Sequence, residues 1–114
     1  MPTFFPAVSL SQIDDKKITK CMVDGLSILI TRGADGTVYA FENNCSHADK
    51  PLERGVWNPA TLEMLCPFHK AVFDVGHGGA VKVGPAVVSL VVYPVEVRNH
   101  NAVDTVFVGV DVED

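Results

Sequence analysis

Positive charge is scarce in this sequence, cysteine is scarcer still, and a long apolar run is missing. Nine Lys and Arg are outnumbered by fourteen Asp and Glu, leaving a formal net charge of -5. Nucleic acid is bound through clustered Lys and Arg that neutralise its phosphates, so this balance argues against it as a partner. No stretch approaches the ~18 apolar residues of a membrane span. The opening "MPTFFPAVSL" lacks a basic flank and is broken by Pro6. The expectation is a soluble, cytoplasmic protein with no membrane attachment. Three cysteines cannot all pair with one another. In a reducing cytosol they remain thiols, so a grouping of cysteine with histidine points to a metal site rather than a disulfide framework. Helical periodicity is almost absent as well: only "SLSQIDD" could close a helical turn, with Ser9 or Ser11 as its cap.

Strands and turns make up the remainder. At 114 residues and 47% hydrophobic, the chain can bury one core, and a single domain over 1–114 is expected. "KKITKCMVDG" and "LSILITRG" flank the turn signal Asp24-Gly25, which predicts a hairpin; "GADG" at 33–36 then leads into "TVYAF" as a third strand. Further on, "AVFDV" is closed by Gly76, Gly78 and Gly79. "VVSLVVYPVEV" and "DTVFVGVDV" read as strands separated by "RNHNA", with alternation clear at Val106, Val108 and Val110. The predicted fold is all-β, an antiparallel β-sandwich or partly open barrel, with residues 42–79 as a loop-rich subdomain inserted in it.

Two short stretches carry the chemistry. "CSHADKPLERG" begins at Cys45 and "CPFHKAVFD" at Cys66, with eighteen residues between His47 and Cys66. Two thiols and two imidazoles suit either a tetrahedral zinc or a [2Fe-2S] centre in which histidines ligate one of the two irons. Spacing favours the second. A structural zinc pair usually has two or more residues between its ligands, whereas Cys45 and His47 have one. A single spacer sets a short thiolate and a longer imidazole at different depths, which suits two metals. No nucleophile with its base and no phosphate-binding loop stands beside these residues; the three glycines read as a turn.

At these residues the chain resembles the Rieske ferredoxins, electron carriers of bacterial aromatic-ring-hydroxylating dioxygenases. The likeness extends through "CSHADKPLERG", "CPFHKAVFDVGHGG", Gly84-Pro85 and "YPVEV". It implies one Rieske [2Fe-2S] cluster, with Cys45 and Cys66 on one iron and His47 and His69 on the other. It implies a Rieske-type sandwich whose loop-rich subdomain binds the cluster, with Gly84-Pro85 covering it from a third side. It also implies a carrier, not an enzyme, that accepts electrons from a flavin-containing ferredoxin reductase and passes them to a terminal Rieske oxygenase acting on aromatic compounds. A Rieske-like small subunit of an assimilatory nitrite reductase is the alternative in the same chemistry. A structural zinc-binding interaction module is the alternative of another class.

Departures from the high-potential Rieske proteins set the expected potential. Lys50 and Phe68 stand where those proteins have a disulfide, and Ala71 and Phe73 where a serine and a tyrosine donate hydrogen bonds to sulfur. Without those donors the negative charge of a reduced centre is less spread, which predicts a potential toward the lower end of roughly -150 to +300 mV. Reduction raises the proton affinity of the ligating imidazoles, so the potential should fall with rising pH once a ligand histidine deprotonates in the oxidised state. Lys70 replaces the glycine usual after the second histidine. Cys21 reads as a small buried residue in a strand, His77 and His100 as solvated turn residues, and Trp57 as packing. Lys50, Arg54, Lys70 and Lys82 could ring the tip, but Asp49 and Glu53 share its loops, giving a mixed rim.

Overall fold

The computed structural model describes residues 2–14, 17–44, 51–66, 71–83 and 90–111. Eleven strands account for nearly all its regular structure: β1 Thr3–Ser9, β2 Thr19–Val23, β3 Leu26–Arg32, β4 Val38–Glu42, β5 Val56–Asn58, β6 Glu63–Leu65, β7 Val72–Asp74, β8 Ala80–Val83, β9 Val92–Tyr93, β10 Val95–His100 and β11 Val103–Val110. All pairings are antiparallel and form three sheets, ordered β1-β11-β10, β2-β3-β4-β9 and β5-β6-β7-β8. The all-β prediction therefore holds. "SLSQIDD" makes a single 3-10 turn at Leu10–Gln12, in which Ser9 gives no side-chain cap. Among the described residues no helix is long and apolar enough to cross a membrane.

The meander β2-β3-β4 forms where its turn signals lie. Asp24 and Gly25 both take positive φ, 50° and 78°, as a two-residue hairpin of type I′ requires. The near-continuous apolar run of β3 has a physical reason: its sheet is buried on both faces. Ile28 and Ile30 face one core with Val23, Ala40, Val106, Val108 and Val110. Leu29 and Phe41 face a second core with Leu52, Trp57, Met64, Cys66, Ala71, Phe73, Val75 and Leu90. Burying an Ile, Leu or Phe fully is worth ~1.5–3 kcal/mol, against ~0–1 kcal/mol for an exposed ion pair. The cores, not the solvated pairs Lys20–Glu53, Lys82–Glu63 and Arg98–Glu96, therefore hold the layers together.

Three elements differ from the sequence reading. β1 contains Pro6, which a strand interior excludes. β1 pairs only with β11, however, so it is an edge, where a missing N–H is tolerated, and the register breaks between Pro6 and Val8. The stretch "RNHNA" is less of a separator than its polarity suggests. β10 runs through Arg98, Asn99 and His100, and the turn is confined to Asn101 and Ala102, at φ 54° and 65°. Polar residues suit that strand because it is exposed along most of its length. Finally, the segment between β4 and β9, loop-rich as expected, also carries a whole third sheet of four short strands from Val56 to Val83, of which the sequence reading had only "AVFDV".

Candidate functional site

Cys66 follows directly on β6 and is fully buried in the second core. Cys45, His47 and His69 lie outside the described residues, as do Lys50, Phe68, Lys70 and Gly84-Pro85. The frame around those residues is nonetheless well defined. The Cys66 amide donates to the Ala71 carbonyl at 2.8 Å, closing the backbone on either side of residues 67–70. Across the first stretch, Asn43 Oδ1 accepts from the amides of Leu52, at 2.8 Å, and Glu53, at 3.0 Å. Asn43 is itself fixed to β3: its amide donates to the Ser27 carbonyl at 3.0 Å, and its Nδ2 to Ser27 Oγ at 3.1 Å. At the third stretch, the Leu90 amide donates to the Gly79 carbonyl at 2.8 Å.

Leu52, Cys66, Ala71 and Leu90, which border the three stretches, all pack in the same core. Residues that border all three stretches thus share one apolar platform; in sequence, Cys45 and His47 fall in the first stretch and His69 in the second, with Cys66 at its edge. Trp57 braces the platform: it stacks on Phe41 at 6.2 Å and donates from Nε1 to the Arg32 carbonyl at 3.0 Å. Gly55 closes the first stretch by donating to the Leu52 carbonyl at 2.8 Å, and a Cβ there would run into the Leu65 carbonyl oxygen. Asn43 was missed by sequence reasoning, because a lone Asn at a strand end has no motif. Only its hydrogen bonds to residues nine and ten positions on reveal its task.

The charges around the platform are mostly paired. The Lys82 ammonium, 2.6 Å from Glu63, holds the Glu63 carboxyl below its ordinary range with help from the Thr61 hydroxyl, and Glu63 in turn raises Lys82. Lys20 lies 3.3 Å from Glu53, and Arg54 is exposed. His77 sits in the glycine-rich turn with Nδ1 2.8 Å from Asp74 Oδ2, and His100 lies edge-on to Phe107 at 5.6 Å. Cys21 is half-buried in β2, where burial pushes its thiol pKa up.

The residues present suit a [2Fe-2S] group of mixed ligation. The donor set is two thiols and two imidazoles, and the described thiol, Cys66, stands in an apolar shell of the kind that limits solvent at a redox centre. Ala71 and Phe73, both fully buried, offer no hydroxyl to it.

Comparison with known proteins bears on the same point. The family model described as the Rieske [2Fe-2S] domain matches residues 3–94. The ferredoxin of carbazole 1,9a-dioxygenase from Nocardioides aromaticivorans IC177 is 34% identical, over 94% of this chain and 96% of that one, with a TM-score of 0.79. The complex of reduced oxygenase and oxidized ferredoxin in carbazole 1,9a-dioxygenase matches at 25% identity, over 93% and 92% of the two chains, with a TM-score of 0.74. A Mycobacterium tuberculosis protein assigned as the small subunit of an NADH-dependent nitrite reductase shares the fold, at 20% identity, 99% coverage of both chains and a TM-score of 0.82. No curated protein matches. With a family match over most of its length and a ferredoxin relative aligned almost end to end, the chain belongs to the Rieske [2Fe-2S] domain family, as a ferredoxin-type electron carrier with one [2Fe-2S] cluster and not as an enzyme.

Proposed function

We propose that Cys45, His47, Cys66 and His69 hold the cluster, and that the chain carries single electrons from a flavin-containing, NAD(P)H-dependent reductase to a terminal Rieske oxygenase that dihydroxylates aromatic compounds. The observation that carries this reading is the 34% identity to a dioxygenase ferredoxin over nearly the full length of both chains. The likeness to a ferredoxin seen in complex with its oxygenase supports the oxygenase as partner. In this reading the chain is one cytoplasmic domain, and residues about 42–79, with the strands that continue to Val83, form its cluster-binding part.

When bound, the cluster supplies reversible one-electron transfer. The protein's own residues fix its setting. The Asn43 and Cys66–Ala71 closures hold the loop bases, the core behind Cys66 limits water, and Ala71 and Phe73 withhold hydroxyl donors, which keeps the potential low. Reconstitution tests the proposal. NAD(P)H-driven dihydroxylation by a separate reductase and oxygenase should require this chain and be lost with His47→Ala or His69→Ala. A second reading, the small subunit of a nitrite reductase, is favoured by the 99% mutual coverage with such a protein. It would prevail if activity appeared only with a nitrite reductase large subunit.

A further inference from the structure

Of the edges in the two base sheets, β1 is interrupted by Pro6 and a register break, β9 is two residues long and runs into Pro94, and β2 lies alongside β1. Among the described residues, β10 has no such protection. Its six residues pair with β11 without a bulge and border nothing else in their sheet, and Val97 is 47% exposed. The Gly109 amide donates to the Pro94 carbonyl at 2.8 Å, which makes that a hydrogen-bonded pair. By antiparallel alternation, Glu96, Arg98 and His100 turn their backbone groups to β11, while Val95, Val97 and Asn99 turn theirs outward.

We infer that β10 is a dimerisation edge, on which a second copy of this chain adds its own β10 antiparallel about a two-fold axis at Val97. The outward groups allow three central registers, and charge selects among them. An axis at residue 96 sets Glu96 against its own twin, and an axis at residue 98 sets Arg98 against its twin; both are repulsive. An axis at Val97 places Glu96 opposite Arg98 of the second copy twice, in the non-hydrogen-bonded pairs where side chains approach most closely. That register also joins the outward groups of Val95, Val97 and Asn99 across the axis and covers each exposed Val97 with the other. Arg98 is already held for this role: its guanidinium lies 5.3 Å from the Phe4 ring and 4.9 Å from the Phe107 ring, and Glu96 is 2.8 Å away. Two copies thereby build one continuous six-stranded sheet from two three-stranded ones.

Sedimentation equilibrium of the cluster-loaded protein across a concentration series tests this. The wild type should move from the mass of one chain, 12.3 kDa, toward twice that value. Glu96→Arg and Arg98→Glu should each stay single-chain where the wild type is half dimeric. An equimolar mixture of the two variants, and the doubly exchanged protein, should associate again. Visible and circular dichroism spectra confirm that each variant keeps its fold. In the unaltered protein, the Val97 and Asn99 amides should gain protection from hydrogen exchange as concentration rises. A single-chain mass up to millimolar concentration would overturn the inference. So would variants that dimerise as the wild type does, or a dimer that leaves those two amides unprotected.

Discussion

Asn43 shows how one side chain can set the start of a functional loop. Its amide group satisfies two backbone N–H groups and a hydroxyl at once, and nothing else in the described residues replaces it there. Asn43→Ala leaves the Leu52 and Glu53 amides without their acceptor, at a cost of ~1–3 kcal/mol for such part-buried donors. A lower melting temperature and a lower iron content per purified chain are expected; unchanged values for both would show that the closure is incidental. Cys21 offers a pH test. Burial raises its thiol pKa, and only the thiolate reacts with alkylating agents, so less of it is reactive at a given pH. In the cluster-loaded protein, maleimide labelling of Cys21 should reach its half-rise at a higher pH than an unstructured cysteine peptide, and Cys21→Ser should abolish the signal. The ligand candidates were legible at this scale because metal chemistry is written in residue type and close spacing. Asn43 was not, because its partners are distant in sequence.

At the scale of elements, what could be read depended on length and on burial. The β2-β3-β4 meander announced itself through Asp24-Gly25 and strong apolar strands, and β11 through alternation. β5 and β6 have three residues each, too few for a period of two to stand out from loop. β1 was hidden by Pro6, whose exclusion from strands does not hold at an edge. Gly79, just before β8, accepts from the Leu90 amide and so joins the third sheet to the chain that enters β9. Gly79 has φ +79°, and a Cβ there would collide with the Leu90 carbonyl that follows the third stretch. Gly79→Ala therefore combines backbone strain with a steric clash, and a loss of more than about 2 kcal/mol is expected in denaturant unfolding. Wild-type stability in that variant would mean that β8 and Leu90 can separate without consequence.

For the whole molecule, two cores divide the work. One is closed between the β1-β11-β10 and β2-β3-β4-β9 sheets, and the other lies between the second sheet and the four short strands that carry Cys66. A buried apolar core that holds Leu52, Cys66, Ala71 and Leu90 together suits a carrier, because a centre that keeps its surroundings between oxidation states needs little reorganisation. With Ala71 and Phe73 buried and without hydroxyls, the midpoint potential should lie below zero, toward the lower end of the roughly -150 to +300 mV span of such centres. A midpoint well above zero in a voltammetric titration would contradict the role given to these two residues.

The assignment of Cys45, His47, Cys66 and His69 to one mixed-ligand cluster is tested most directly by electron paramagnetic resonance of the dithionite-reduced protein, with iron and acid-labile sulfide measured on the same sample. The account predicts two irons and two sulfides per chain, with a reduced signal that is lost or altered when either His47 or His69 becomes alanine. Protein without labile sulfide, or a signal unchanged in both histidine variants, would contradict it.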